Sequence, residues 1–254
     1  MLLCIDIGNT NITLGLFQGE TLGPRWRLAT DHEKMPDEFA LQVLGLLDYA
    51  GNSPKDIDRA SIASVVPPLT GKWVEVCRNS LGCDPLVVDA GVHTGVRVRY
   101  DDPRAVGADR VVDAVAAYRL YGGPAIIIDF GTATVFDAIS AEGDYLGGAI
   151  APGISIAADA LFTRAAKLTR VEIARPPSAI GRNTTHSVQS GLLFGYVGLV
   201  EGMVARFRAE LGEGAKVIGT GGLAELIARE TAVIHFLAPW LTLDGLRMVY
   251  EMNQ

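Results

Sequence analysis

The stretch Ile5-Asp6-Ile7-Gly8-Asn9-Thr10-Asn11-Ile12 decides how this chain is read, because it returns as Ile128-Asp129-Phe130-Gly131-Thr132-Ala133-Thr134-Val135. In both copies an Asp interrupts an apolar run near its end, a Gly follows two positions later, and small residues lead into a second apolar run. Short apolar runs punctuated this way read as buried strands joined by a tight turn. Asp6 falls on Asp129 and Gly8 on Gly131, roughly half a chain apart, which is where an internal duplication places its second copy.

Working outward from the first copy, residues 12–17 read as the returning strand of a hairpin, and residues 37–49 carry Phe39, Val43, Leu46 and Leu47 at helical spacing. Residues 60–66 are strand-like up to Pro67-Pro68, 69–81 helical, 86–89 a short strand, and 111–121 a helix with Val111, Val115 and Tyr118 on one face. After the second copy, residues 135–139 form a strand, 192–211 a long helix, 216–218 a strand, 219–222 a Gly-Thr-Gly-Gly turn and 223–229 a helix. The break between halves is expected near residues 118–124, giving segments 1–118 and 119–254, with the last residues from Pro239 packing back across them.

Composition narrows the chemistry. The 254 residues are 49% hydrophobic and 20% charged, which is globular rather than disordered, and long enough to bury one large core or two small ones. A formal charge of -7 disfavours nucleic acid and anionic membrane surfaces as partners. No apolar run approaches the ~20 residues that span a bilayer, and the opening MLLCIDIGNT lacks the basic start of a signal peptide. The three cysteines, Cys4, Cys77 and Cys83, form no C-x-x-C and fit a reduced, cytoplasmic setting. The four histidines make no zinc pattern.

Several phosphate and catalytic signatures are missing: the P-loop, the protein-kinase H-R-D loop and the G-x-S-x-G elbow. The Gly219-Thr220-Gly221-Gly222 turn comes late in the chain and does not complete a dinucleotide fingerprint, since position 224 is Ala. What remains is three glycine turns, each after a strand. Such turns let backbone N–H groups approach phosphate oxygens. An Asp ending the preceding strand can hold hydrated Mg²⁺, which takes a few carboxylates plus water and phosphate. Asp6 and Asp129 suit that role. The competing reading is that Asp and Asn merely close tight turns; the duplication argues against it, because a turn needs no matching copy.

Paired turns of this kind resemble the ATP cleft of the actin, sugar-kinase and heat-shock chaperone superfamily. The chain more closely resembles the type III pantothenate kinases, through DIGNTN at 6–11, GADR at 107–110, IDFGTATVFD at 128–137, YLGGAIAPG at 145–153, GRNT at 181–184 and GTGG at 219–222. These occur in the family's order and span most of the chain; Val135 stands where the family often has Thr. The resemblance implies an α/β fold of two duplicated actin-like (ribonuclease H-like) subdomains with an ATP cleft between them. It implies phosphorylation of pantothenate by ATP to 4'-phosphopantothenate, the first step of coenzyme A synthesis, uninhibited by coenzyme A. It further implies Mg²⁺, a monovalent cation (K⁺ or NH₄⁺) and a homodimer.

Carried onto this sequence, the resemblance makes Asp6, Ile7, Gly8, Asn9, Thr10, Asn11, Ile12 and Thr13 the first phosphate loop and Thr132 an ATP contact. It makes Asp129 a ligand of the monovalent cation, in competition with its unaided reading as an Mg²⁺ holder, and leaves Asp6 to reach Mg²⁺ through water. Pantothenate falls to Tyr100, Gly107, Ala108, Asp109, Arg110 and Thr184, with Asp109 as proton acceptor. Arg110 offers a planar fork suited to the pantothenate carboxylate, although an exposed Arg at a helix start needs no ligand. Thr184 and Asp109 could equally be helix N-caps, and Tyr100 a rim aromatic. At a helix start beside Arg110, Asp109 is expected to stay ionised, with Asp113 the nearest rival carboxylate.

Gly191, Gly195, Gly198 and Gly202 recur along the long helix, where each costs about 1 kcal/mol against Ala. They suit close approach of another element, either within the chain or from a second copy that lends Thr184. Two other functions compete. A non-catalytic regulator on the same fold is disfavoured by the intact DIGNTN and GADR. An actin-type filament ATPase is disfavoured by a length that leaves little room for extra subdomains.

Overall fold

The computed structural model describes residues 1–165 and 168–254. Over them the chain separates into two compact units, Met1–Ala116 with Leu241–Gln254, and Ala117–Trp240. In the first unit, β1 (Leu2–Ile7), β2 (Asn11–Gln18), β3 (Thr21–Ala29), β4 (Arg59–Ser64) and β5 (Pro85–Val87) form a sheet in the order β3-β2-β1-β4-β5. In the second, β6 (Ala125–Phe130), β7 (Ala133–Ile139), β8 (Tyr145–Pro152), β9 (Lys216–Thr220) and β10 (Phe236–Leu237) run β10-β9-β6-β7-β8. Read from the other edge, the second order is the first. β1 and β6 are each central, antiparallel to the next strand in the chain (β2, β7) on one side and parallel to β4 or β9 on the other. The duplication therefore extends from one motif to the whole sheet.

Each unit has its own apolar core. In the first, α1 (Pro36–Tyr49) buries Phe39, Val43 and Leu47, and Phe39 meets Trp73 of α2 (Pro67–Val76) with ring centroids 5.1 Å apart. Pro67 and Pro68 open α2 as well as ending the strand before it, because Pro lacks the N–H that a first helical turn leaves unused. α2 passes into a π turn at Cys77–Leu81, closed by Gly82 at φ 70°.

Three expectations need correcting. The segment 119–254 does not stay together, and the expected return of the residues from Pro239 is to the first unit. The first unit takes back Leu241–Gln254, which carries α7 (Leu241–Met252), and the earlier boundary falls inside α3 (Ala108–Tyr121). The cause is packing: α7 buries Leu241, Leu243, Leu246 and Val249 against β1 and β4, at about 1.5–3 kcal/mol per side chain. Gly245 lies so close to the Val112 carbonyl that any Cβ would overlap it. That approach also sets the face of α3, which buries Val112, Val115 and Ala116 and leaves Val111 and Tyr118 half-buried.

The long helix, α5, starts more than two turns before the expected residue 192, at Thr184–Leu211. By length and composition it could cross a membrane. Its Gly and Ser residues break the apolar run in the sequence without lowering the helix's average much. Its apolar face is occupied, however: Val188, Leu192, Leu193, Tyr196, Val197, Val200 and Val204 are buried, and the helix packs on β6, β7, α4 (Ile154–Arg164) and α6 (Ala224–Ala228).

Candidate active site

β1 and β6 have the same burial sequence: every residue is buried except the fifth, which is Asp6 in one and Asp129 in the other. An alternating strand would expose every second side chain. Here a strand buried on both faces opens at one position, and both times that position is a carboxylate beside a turn.

In the first unit Asp6 pairs in register with Thr13 of β2 and Ala63 of β4. The turn beyond it closes when the Gly8 N–H donates to the Asn11 carbonyl at 3.0 Å, leaving Asn9, Thr10 and Asn11 exposed. Ile7 and Ile12 are fully buried and anchor the two legs. Thr30, just past β3, ties the turn from behind. Its N–H donates to the Thr10 carbonyl at 2.9 Å, and its hydroxyl donates to the Gly8 carbonyl at 2.6 Å.

The residues 107–110 lie beside the base of that turn. Val65 donates its N–H to the Ile7 carbonyl at 3.1 Å, and a Cβ on Gly107 would stand 3.2 Å from Val65 Cγ1. α3 opens at Ala108, with Val111 donating to the Gly107 carbonyl at 3.2 Å, so Asp109 sits inside the first turn and Gly107 precedes the helix. The N-cap reading of Asp109 is therefore set aside. Its Oδ1 accepts from the Arg110 N–H at 2.8 Å and folds back over Gly107, where any Cβ would overlap it. Burial pushes the Asp109 carboxyl up from its ordinary value, against the opposing pull of the Arg110 N–H and guanidinium. This reverses the expected direction: desolvation of the carboxylate outweighs the helix terminus and Arg110 together. Asp113, one turn on, is buried. Tyr100 is exposed on the irregular stretch ahead of α3.

In the second unit two glycines converge on Asp129, and a third closes on the turn beside it. A Cβ on Gly131 would stand 3.3 Å from Asp129 Oδ2. A Cβ on Gly221, at φ 88°, would overlap Asp129 Oδ1 and stand 2.7 Å from the Phe130 nitrogen. Gly153 donates its N–H to the Thr132 carbonyl at 3.1 Å, and a Cβ there would stand 2.6 Å from the Gly131 oxygen. Thr132 is exposed at the crown of this turn. Gly153 and Gly221, which this cradle requires, do not stand out in the sequence from the glycines around them.

Thr184 lies apart from that cradle, in a cavity of about 700 Å³ also lined by Leu161, Leu168, Arg182, Asn183 and Val188. It is the first residue of α5, and the cap is Asn183, whose side-chain oxygen accepts from the His186 N–H at 2.8 Å. The N-cap reading of Thr184 is therefore set aside.

The donor set suits a cation that arrives with phosphate better than a resident metal cage. Among the described residues no three His, Cys, Asp or Glu side chains cluster. Asp129, half-buried against two glycines with no side chain to fill the space, can share a cation with phosphate and water oxygens. Asp6, half-buried at the equivalent place, offers Mg²⁺ the same chemistry.

Residues 2–206 match the family model described as type III pantothenate kinase. A type III pantothenate kinase from Moorella thermoacetica is 55% identical over 253 residues, covering the whole of both chains. Among solved structures, a Campylobacter jejuni protein assigned to the Baf family of transcriptional activators aligns with TM-score 0.65 at 18% identity, over 99% of this chain and 98% of its own. The ROK hexokinase of Thermus thermophilus aligns with TM-score 0.52 at 14% identity, over 100% and 99%. At those identities the structures bear on the fold alone, and they agree with the two matching sheets in making each unit an actin-like subdomain. With the sequence relatives matched end to end and both phosphate-type turns in place, the chain belongs to the type III pantothenate kinase family.

Proposed function

We propose that this protein transfers the γ-phosphoryl group of ATP to the primary hydroxyl of pantothenate, giving 4'-phosphopantothenate, the first step of coenzyme A synthesis. The observation that carries the reading is the repeated opening of a buried central strand at one carboxylate beside a glycine turn, joined in the first unit to a buried-side carboxylate at the start of α3. Phosphoryl transfer asks the protein mainly to position the reactants and offset charge. The test is direct: incubate the protein with ATP, Mg²⁺, K⁺ and pantothenate, beside a panel of other small hydroxy acids, and detect phosphorylated product by mass. Product from pantothenate alone supports the assignment; none from pantothenate overturns it.

In this reading Asp6 to Thr13 hold the phosphates, with Asn9 and Thr10 at the exposed crown, and Thr132 is the matching ATP contact. Arg110 pairs with the pantothenate carboxylate, while Tyr100, Gly107, Ala108 and Thr184 shape its site. Asp109 orients the hydroxyl and accepts its proton. When bound, Mg²⁺ and a monovalent cation supply positive charge against the transferring phosphoryl group; Asp6 holds the first through water and Asp129 the second. Turnover should therefore fall when sodium replaces potassium or ammonium, and Asp129→Asn should abolish that difference. A variant that kept full potassium dependence would remove Asp129 from the cation site. The three unpaired, buried cysteines suit a cytoplasmic enzyme.

The same reading includes a homodimer. Gly191, Gly195 and Gly198 are exposed, and a Cβ on any of them would meet no described atom within 4 Å beyond the adjoining stretch of its own helix. Packing within the chain therefore does not account for three residues that each weaken the helix by about 1 kcal/mol. A second copy approaching this stripe would, and it would bring its Thr184 toward the site. Sedimentation at working concentration should give a dimer, and Gly195→Leu should shift it to monomer with loss of activity. A fully active wild-type monomer overturns this part.

A further inference from the structure

We infer that Thr30 is the positioning residue of the first phosphate turn, holding its carbonyls back so that its crown can meet phosphate. This rests on the phosphotransfer reading above. Two of the carbonyls in the turn at residues 8–11, those of Gly8 and Thr10, carry partial negative charge that would repel phosphate if they swung forward. Both are held by one residue: the Thr30 hydroxyl takes Gly8 at 2.6 Å and the Thr30 N–H takes Thr10 at 2.9 Å. Thr30 is half-buried, so neither bond is freely exchanged for water.

The segment that carries Thr30 is itself fixed. Lys72 of α2 donates its Nζ to the His32 carbonyl at 2.9 Å and to the Lys34 carbonyl at 2.7 Å. The chain leaving β3 is thus strapped to a helix packed in the core, and Thr30 has little freedom to follow the turn if the turn moves.

The second unit shows the same device with a different residue, which is why the arrangement reads as a function of the fold rather than a local accident. β3 pairs Ala29 with Asn11, so the next residue, Thr30, faces Thr10. β8 pairs Pro152 with Ala133, so the next residue, Gly153, faces Thr132. Both donate an N–H across, at 2.9 Å and 3.1 Å. In the second copy Gly153 has no side chain, and a Cβ there would overlap the Gly131 and Thr132 oxygens. In the first copy the Thr30 hydroxyl fills that gap with a hydrogen bond. Two duplicated strand ends have therefore kept one task, to buckle the turn, by hydroxyl in one half and by close contact in the other.

The experiment compares Thr30→Val and Thr30→Ser in the full-length protein. Valine keeps the shape and the N–H bond but loses the hydroxyl; serine keeps the hydroxyl. Thr30→Val should raise KM for ATP about tenfold, the effect of one lost hydrogen bond to a half-buried carbonyl, with KM for pantothenate unchanged and the thermal midpoint lowered by no more than about 2–4 °C. Thr30→Ser should restore the ATP value. Thr30→Ala repeats the comparison should Thr30→Val fail to fold. Equal rises in both KM values, or an unchanged KM for ATP, overturn the assignment. Calorimetric titration with ATP and Mg²⁺ separates this from the parent reading. If wild type makes no phosphopantothenate, that reading fails, while weaker ATP binding by Thr30→Val, rescued by serine, still upholds the positioning role.

Discussion

Asp109→Asn should lower turnover of pantothenate by roughly 10²–10⁴-fold, the usual contribution of a positioned acid or base, while leaving ATP binding intact. Asn preserves the size of the side chain and its contact over Gly107, and its oxygen can still accept from the Arg110 N–H, so the start of α3 should survive. What disappears is the ability to take a proton. Burial has raised the carboxyl's pKa, which makes it a better base than a solvated Asp, provided that it is ionised at the working pH. The pH dependence follows from that sign. Activity should fall as pH drops through the raised Asp109 value, an acid limb above the ordinary carboxylate range, and Asp109→Asn should lack that limb.

Stability moves the other way. A carboxyl with a raised folded-state pKa holds its proton more tightly folded than unfolded. Its contribution therefore penalises the fold progressively as pH rises from the ordinary value through the raised one, and is absent below both. Neutral Asn escapes the penalty, so the variant should unfold at or above the wild-type temperature near neutral pH. A variant within a few-fold of wild-type turnover, folded normally, removes Asp109 as the base and sends the question to Asp113.

Gly221→Ala should destabilise the protein by about 2–4 kcal/mol and weaken ATP binding, whereas Gly222→Ala should do neither. The left-handed backbone at Gly221 alone costs an Ala about 1–2 kcal/mol. Its new methyl group would also overlap the Asp129 carboxylate and stand 2.7 Å from the Phe130 nitrogen. Backbone cannot yield as a flexible side chain does, so the central strand or the Gly-rich turn must shift, within the usual range for strain and overpacking. At Gly222 a Cβ meets nothing within 4 Å. For a chain of this size the Gly221 change should lower the thermal midpoint by roughly 5–10 °C. It should also raise KM for ATP, because the displaced group is the carboxylate assigned to the cation. A Gly221→Ala protein with wild-type melting and wild-type KM for ATP would show that the cradle is not as tight as drawn.

These variants divide what could be read in residues from what could not. Asp6 and Asp129 were legible, because strand burial and turn chemistry are local and the two copies check one another. β3 was missed, although Leu22, Pro24, Trp26, Leu28 and Thr30 alternate with the exposed Arg25, Arg27 and Ala29 as an edge strand should. With that strand went Thr30, whose role depends on facing a turn some 20 residues earlier. The start of α3 was placed too late, because Gly107 is a poor signal for a helix start and Ala108-Asp109-Arg110 could extend either way.

By itself the sequence determined the duplication, the two carboxylate turns and the family, since each is written in short runs whose burial and turn preferences need no distant partner. Tertiary structure alone decided four things. It chose the first unit as the place to which the returning α7 packs, through Gly245 and Val112, tied the first turn to Thr30, and made Gly221 rather than Gly222 the indispensable glycine. It also raised rather than lowered the Asp109 pKa. All four arise from groups far apart in the chain meeting at atomic contact, where a missing Cβ, one hydroxyl or the loss of water around a carboxylate sets the energy, and none of these distances is encoded in neighbouring residues.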